Sequence, residues 1–375
     1  MTPLLRKLLG MNWLLFAAVT VIALAGILFI HGASYMHPAE RYWQQQAKWV
    51  GIGLIIFFVV TLTDYRWVKW LAAPMYLVSI VLVALTYTAK FGREVNNAKC
   101  WLKLPGMPQF QPGQMAAAGG ILTIALFLGY ARRWHPVLRI ACVGIIAAPA
   151  MVLILKQPDL GMTIAWVPVI LTMLYLCGMP IRWLAVVLLT GLTIMPLVMN
   201  FALKPYQRDR VVTFLDPDVD PRGIGYGVNQ SLTAIGSAGI RGKGFKAPDT
   251  QLELGMIPKA EEHTDYIFAT IGEQWGFLGG LAVIATFGVL IIACMLTAAR
   301  ATDLFGVLIV GGITAQLFFH VFQNIGMTIA LMPITGLPLP LISYGGTFAL
   351  VLMFNFGLVN SVWVHSRSEP EAGEK

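Results

Sequence analysis

Charge is scarce in this 375-residue chain. Asp, Glu, Lys and Arg make up 12% of it and hydrophobic residues 57%, against roughly a quarter charged in an ordinary soluble domain. That excludes a typical soluble enzyme. Cysteine is scarce too: Cys100, Cys142, Cys177 and Cys294 lie at least 35 residues apart, which excludes metal-type spacing and a disulfide framework. A phosphate loop is also missing. Gly236 to Gly242 is one residue too long for it, Gly244 stands where the metal-binding Ser or Thr belongs, and no Rossmann unit surrounds the segment. ATP hydrolysis is therefore not indicated. The formal charge of +8 is gathered into connectors between apolar runs, which directs it toward lipid head groups or an anionic membrane substrate and away from nucleic acid.

What is abundant is apolar length. A helix needs about 20 apolar residues to cross the hydrocarbon layer, and ten runs approach that length: 12–30, 49–63, 70–89, 114–131, 140–155, 160–181, 183–203, 266–298, 304–332 and 343–363. The pattern predicts an all-α polytopic membrane protein with about ten transmembrane helices and a large extracytoplasmic loop, 204–265, between helices 7 and 8. The first run is long enough to be an anchor, with no cleavage pattern clearly after it. An even number of spans puts both termini on one side. Outside the 204–265 segment, basic residues number eleven on the terminal side and seven on the other, which predicts cytoplasmic termini and a short cytoplasmic tail, 364–375.

The polar segment 204–265 holds 17 charged residues and is expected to pack on the outer membrane face. Closely spaced glycines at Gly223, Gly225 and Gly227, and again from Gly236 to Gly244, let amides turn toward an anion, with Arg208, Arg210, Arg241 and Lys243 nearby. A pyrophosphate suits such a site; tight turns beside solvated charges are the alternative reading. The segment ends on Glu261-Glu-His-Thr-Asp265. Crowded carboxylates at the membrane boundary raise one another's proton affinity and make Asp265 or Glu262 a candidate general base. Glu262, His263 and Asp265 are a candidate cation site, and helix capping by Thr264 or Asp265 is the competing reading. Asp159 either caps the sixth span or lines a cavity. Glu273, eight residues after Asp265, falls on the same face if one helix carries both, which predicts a polar groove. His320, Gln323 and Asn324 either line that groove or pair internally. Three prolines and three glycines in the uncharged segment Leu331–Thr347 read as a broken or re-entrant element, or as an apolar hairpin.

These segments resemble the SEDS family (shape, elongation, division and sporulation). Gln157-Pro-Asp-Leu-Gly161, Tyr206-Gln-Arg-Asp-Arg210, Gly236-Ser-Ala-Gly-Ile-Arg-Gly-Lys-Gly244, His263-Thr-Asp-Tyr-Ile-Phe-Ala269, Asn324-Ile-Gly-Met327 and Pro338-Leu-Pro-Leu-Ile-Ser-Tyr-Gly-Gly346 stand in the family's order, and the patterns look more like its elongation branch than its division branch. The resemblance implies a peptidoglycan glycosyltransferase of the bacterial inner membrane that polymerises lipid II during elongation and shape maintenance. It implies a class B penicillin-binding protein as transpeptidase partner, other elongation-complex membrane proteins, and contact with membrane lipids. Asp265 matches the family's essential aspartate, as base toward an acceptor hydroxyl. Arg208, Arg210, Lys243 or a divalent cation (Mg or Mn) would stabilise the departing pyrophosphate, and Trp101, Gln111, Asp159 and Glu273 are placed with the substrate. One departure stands out: Gln114 and Ala117 occupy positions where the family commonly carries Glu and Lys. It keeps two alternatives open, a lipid-linked precursor flippase and a non-catalytic scaffold of the cell-wall machinery.

Overall fold

With no water in the hydrocarbon layer to satisfy peptide groups, an apolar run of this length must close its own hydrogen bonds, and helices result. The computed structural model describes residues 2–35, 41–95, 98–106, 108–201, 203–216, 220, 223, 225–258 and 261–366. The helices are α1 (Pro3–Leu9), α2 (Trp13–Ala33), α3 (Tyr42–Leu62), α4 (Val68–Leu85), α5 (Pro112–Tyr130), α6 (Pro136–Lys156), α7 (Leu160–Leu176), α8 (Ile181–Phe201), α9 (Pro205–Leu215), α10 (Tyr226–Ser237), α11 (Ile267–Arg300), α12 (Leu304–Thr328) and α13 (Gly346–His365). Every predicted run coincides with one of them. Among the described residues eight helices are long and apolar enough to cross a membrane; the 17-residue α7 and the apolar part of α8 occupy the other two predicted positions. Helix α3 begins at Tyr42, seven residues before its run, because the buried Gln46 finds partners: it accepts from the Gly345 amide at 3.1 Å and donates to Ser343 O at 3.5 Å. Of the predicted tail, 367–375 lies outside the described residues.

Polar staples hold the two ends of the bundle. At one, the Asn12 amide donates to Asn360 Oδ1 (2.9 Å) and its side chain to Thr297 Oγ1 (3.1 Å), joining the start of α2 to the ends of α11 and α13. At the other end lie a short antiparallel hairpin, β1 (Gly92–Val95) with β2 (Ala98–Leu102), and the 204–265 segment. The latter is more than a loop, for it forms α9 and α10. The Ser231 hydroxyl of α10 donates to the Thr328 carbonyl at the end of α12 (2.8 Å), and α10 also packs along α11.

The eighth span is not one continuous helix. Gly276, at φ 67 and ψ −162, breaks α11, and residues 239–244 cross the break as a strap. The amides of Phe277 and Leu278 donate to Gly239 O and Ile240 O (3.0 and 3.1 Å), while those of Lys243 and Gly244 donate to Glu273 O and Gln274 O (2.9 and 3.0 Å). The approach is so close that a Cβ on Gly276 would lie 2.3 Å from the Gly242 nitrogen.

A candidate catalytic site around Asp265

The Glu261–Tyr266 turn is fixed almost entirely through its carbonyls. Glu261 O accepts from the Thr264 and Tyr266 amides (3.1 and 2.9 Å), and His263 O from the Tyr344 amide (2.9 Å). Glu262 O accepts from the Thr270 hydroxyl (3.4 Å), Thr264 O from the Ser343 hydroxyl (2.6 Å) and Asp265 O from the Asn324 carboxamide (3.0 Å). Helix α11 starts only afterwards, with Tyr266 as its N-cap. Neither Thr264 nor Asp265 caps it. The Asp265 carboxylate accepts no hydrogen bond from another described residue. It lies against the Leu331–Thr347 segment, where Gly336 (φ +71) makes room: a Cβ there would stand 3.3 Å from Asp265 Oδ2. That segment is irregular and packed inward, with Leu337, Leu339, Leu341 and Ile342 buried, and Gln323 and Asn324 of α12 donate to Pro333 O (2.7 Å) and Leu337 O (2.8 Å). The α12 polar residues therefore pair internally.

Opposite Asp265 stands Asp159, which caps α7 by accepting from the Met162 amide at 3.0 Å and also accepts from the Gln111 carboxamide at 3.1 Å. Helix α9 supplies the cation. The Tyr206 hydroxyl anchors it to Pro158 O (3.1 Å), and the Arg210 guanidinium lies over the Tyr206 ring at 5.7 Å. Removal from water pushes the Asp265 carboxyl up to about 7; the negative charges of Glu261 and Asp159 push the same way and Arg210 opposes them. Burial likewise lifts Asp159 to about 6 and raises Glu261, again against Arg210. A carboxylate with proton affinity near neutrality and no competing donor can accept a proton from a hydroxyl.

Several predicted residues fall elsewhere. Glu273, 0% exposed, accepts from Lys243 Nζ (2.9 Å) and from the Gln251 and Leu252 amides (2.6 and 3.4 Å). This pair ties the 243–252 chain to α11 and lines no groove; the shared helical face expected for Asp265 and Glu273 fails because Asp265 precedes the helix. The glycine-rich anion cradle is corrected at five of its amides: those of Gly223 and Gly225 donate to Asp220, that of Gly242 to Ala238 O, and those of Lys243 and Gly244 to the carbonyls freed at the α11 break. Arg208 donates to Asn200 O at the end of α8. Among the described residues no three His, Cys, Asp or Glu side chains converge as metal ligands, so Glu262, His263 and Asp265 do not fit a resident cation; Glu262 and His263 are buried, and the His263 ring stacks on Tyr42 with centroids 4.0 Å apart. Strand alternation sets Trp101 on the face opposite Cys100. Cys100 instead faces Asp159 and Asp265, whose charges add to burial in pushing its thiol up to about 12. In the sequence Cys100 stood out only as one of four scattered cysteines; pleat alternation across β2 was the available signal.

A family model for cell cycle proteins of the FtsW, RodA and SpoVE type matches residues 6–368. The chain belongs to this family. It is 36% identical over 318 residues to the peptidoglycan glycosyltransferase MrdB of Escherichia coli K12, covering 85% of this chain and 84% of that protein. It is 31% identical to the peptidoglycan glycosyltransferase RodA of Treponema pallidum, covering 96% and 98%. Among solved structures it resembles a chain from a study of how a peptidoglycan synthase complex coordinates polymerisation and crosslinking, with TM-score 0.80, 30% identity and coverage of 96% and 99%. It also resembles the rod shape determining protein RodA of Thermus thermophilus, with TM-score 0.70, 27% identity and coverage of 96% and 98%. This family member is a multi-pass helical membrane protein.

Proposed function

We propose that the chain is a peptidoglycan glycosyltransferase that polymerises lipid II, with Asp265 as general base. Family membership and the names of its relatives support the activity. The observation that carries the mechanism is the Asp265 carboxylate, held by a turn whose carbonyls are all bonded and itself without a donor among the described residues. In this reading Asp265 takes the proton from the C4 hydroxyl of an acceptor N-acetylglucosamine as that oxygen attacks C1 of a donor N-acetylmuramic acid. The C1–O bond to undecaprenyl pyrophosphate breaks, and a single displacement converts the alpha-linked donor into a beta-1,4 bond. Arg210 favours the charged forms of Asp159, Glu261 and Asp265. No step is routed through a metal. The 204–265 segment then faces outward and the termini lie in the cytoplasm of a bacterium, with a class B penicillin-binding protein as crosslinking partner.

The test is strand formation from lipid II by purified protein, with and without the transpeptidase. Wild type makes glycan strands, and Asp265→Ala lowers the rate by at least ~10²-fold. Equal polymer from the variant, or none from wild type, overturns the reading. Labelled lipid II crossing proteoliposome membranes without polymer, and unaffected by Asp265→Ala, would make the chain a transporter.

A further inference from the structure

One of the cavities that the proton-transfer step leaves unused lies beside the Asp265 site. Between α9, α10 and residues 330–334 lies a space of about 80 Å³, walled by Phe214, Val228, Leu232 and Met332, with Arg210 and Asn229 at its polar side. Arg210 is shared with the Asp265 site, so the cavity adjoins the reacting centre. The Asn229 carboxamide offers a donor and an acceptor and bonds to no other described residue. Its backbone is fixed in α10 by donation to Gly225 O at 3.0 Å.

Size and charge narrow the occupant. A cavity of about 150 Å³ accepts a benzene ring, so this one suits a group of three or four heavy atoms. Among the described residues, Arg210 is the cation that acts on Asp159, Glu261 and Asp265. An incoming pyrophosphate or carboxylate meets net negative charge there, whereas a neutral carbonyl gains from the guanidinium without that repulsion. A neutral group of that size that accepts one hydrogen bond, donates one and ends in a methyl is an acetamido group.

We propose that this cavity is the subsite for the C2 acetamido group of the acceptor sugar: Arg210 donates to its carbonyl, Asn229 Oδ1 accepts its N–H, and Phe214, Val228 and Leu232 enclose its methyl. The inference rests on the polymerase reading and adds a specificity that Asp265 cannot supply, since a C4 hydroxyl is the same on glucose and on N-acetylglucosamine.

The test compares natural lipid II with an analogue whose terminal sugar is glucose, its muramic acid left intact so that only the acceptor changes. Wild type favours natural lipid II by at least about tenfold in kcat/KM, the order expected for two hydrogen bonds and a buried methyl. That ratio falls toward unity in Asn229→Ala and in Val228→Phe, which fills the space. Because both substrates are measured on one preparation, loss of folded enzyme cancels. A wild-type ratio near one, or a ratio that survives both variants, overturns the subsite while leaving the polymerase reading standing. Absence of polymer from both substrates overturns the polymerase reading and the subsite with it.

Discussion

If Asp265 is the base, its surroundings fix how the rate depends on pH. The carboxyl rises from 3.8 to about 7, roughly three units, or about 4 kcal/mol in favour of the neutral form. At pH 6 only about a tenth of the enzyme holds the carboxylate, so kcat/KM for lipid II should rise about tenfold per unit below pH 7 and level off above it. Two substitutions should move this limb in opposite directions. Arg210→Met removes the charge that favours the carboxylate and shifts the limb upward; Asp159→Asn removes a repelling carboxylate and shifts it downward. Stability has its own sign. Between pH 4 and 7 the folded state holds a proton that the unfolded chain has released, so Asp265 contributes most below 3.8 and progressively less up to about 7, a loss of up to about 4 kcal/mol. Thermal unfolding of wild type should therefore weaken with pH across that window relative to Asp265→Asn. A strand-formation assay from pH 5 to 9 decides the kinetic part: a flat profile, or a limb that neither variant moves, refutes the reasoning.

Two further outcomes follow from buried polar groups. Glu273→Ala strands the Lys243 ammonium and two backbone amides and should cost about 3–5 kcal/mol, with part recovered by adding Lys243→Met; a loss under about 1 kcal/mol in thermal unfolding, the worth of an exposed pair, would contradict the burial. Gln114 is 1% exposed and donates to Met162 Sδ at 3.2 Å, with Ala117 beside Trp166 around a space of about 10 Å³. Gln114→Glu alone should therefore lower the unfolding temperature, and adding Ala117→Lys should restore part of it without raising strand formation above wild type; polymer from the double variant alone would make the native chain a scaffold.

The spans were legible because the penalty for charge in hydrocarbon writes them directly into composition: the ten apolar runs and the ten helices differ mainly at ends such as Tyr42–Lys48, where Gln46 finds partners nearly 300 residues away. The resemblance named Asp265, Asp159 and Gln111, and the structure brings these three together. What composition could not show was partnership. Lys243 and Glu273 read as substrate ligands while their charges remained unassigned, and they satisfy each other. The glycines of 236–244 read as an anion cradle because the sequence carries no sign of the break at Gly276 whose carbonyls they serve. Asn229 and Gly336 carry no local pattern, and their meaning arises only when α10 and the Leu331–Thr347 segment meet α9 and the Asp265 turn.

The break in α11 has a mechanical consequence. Peptide groups uncovered at membrane depth have nowhere else to go, so residues 239–244 are the missing rungs of that helix as much as a piece of the 204–265 segment. Peeling them away would leave the Phe277 and Leu278 amides and the Glu273 and Gln274 carbonyls dry at once. A force applied to the 204–265 segment at this strap is thus passed into the helix that follows the aspartate.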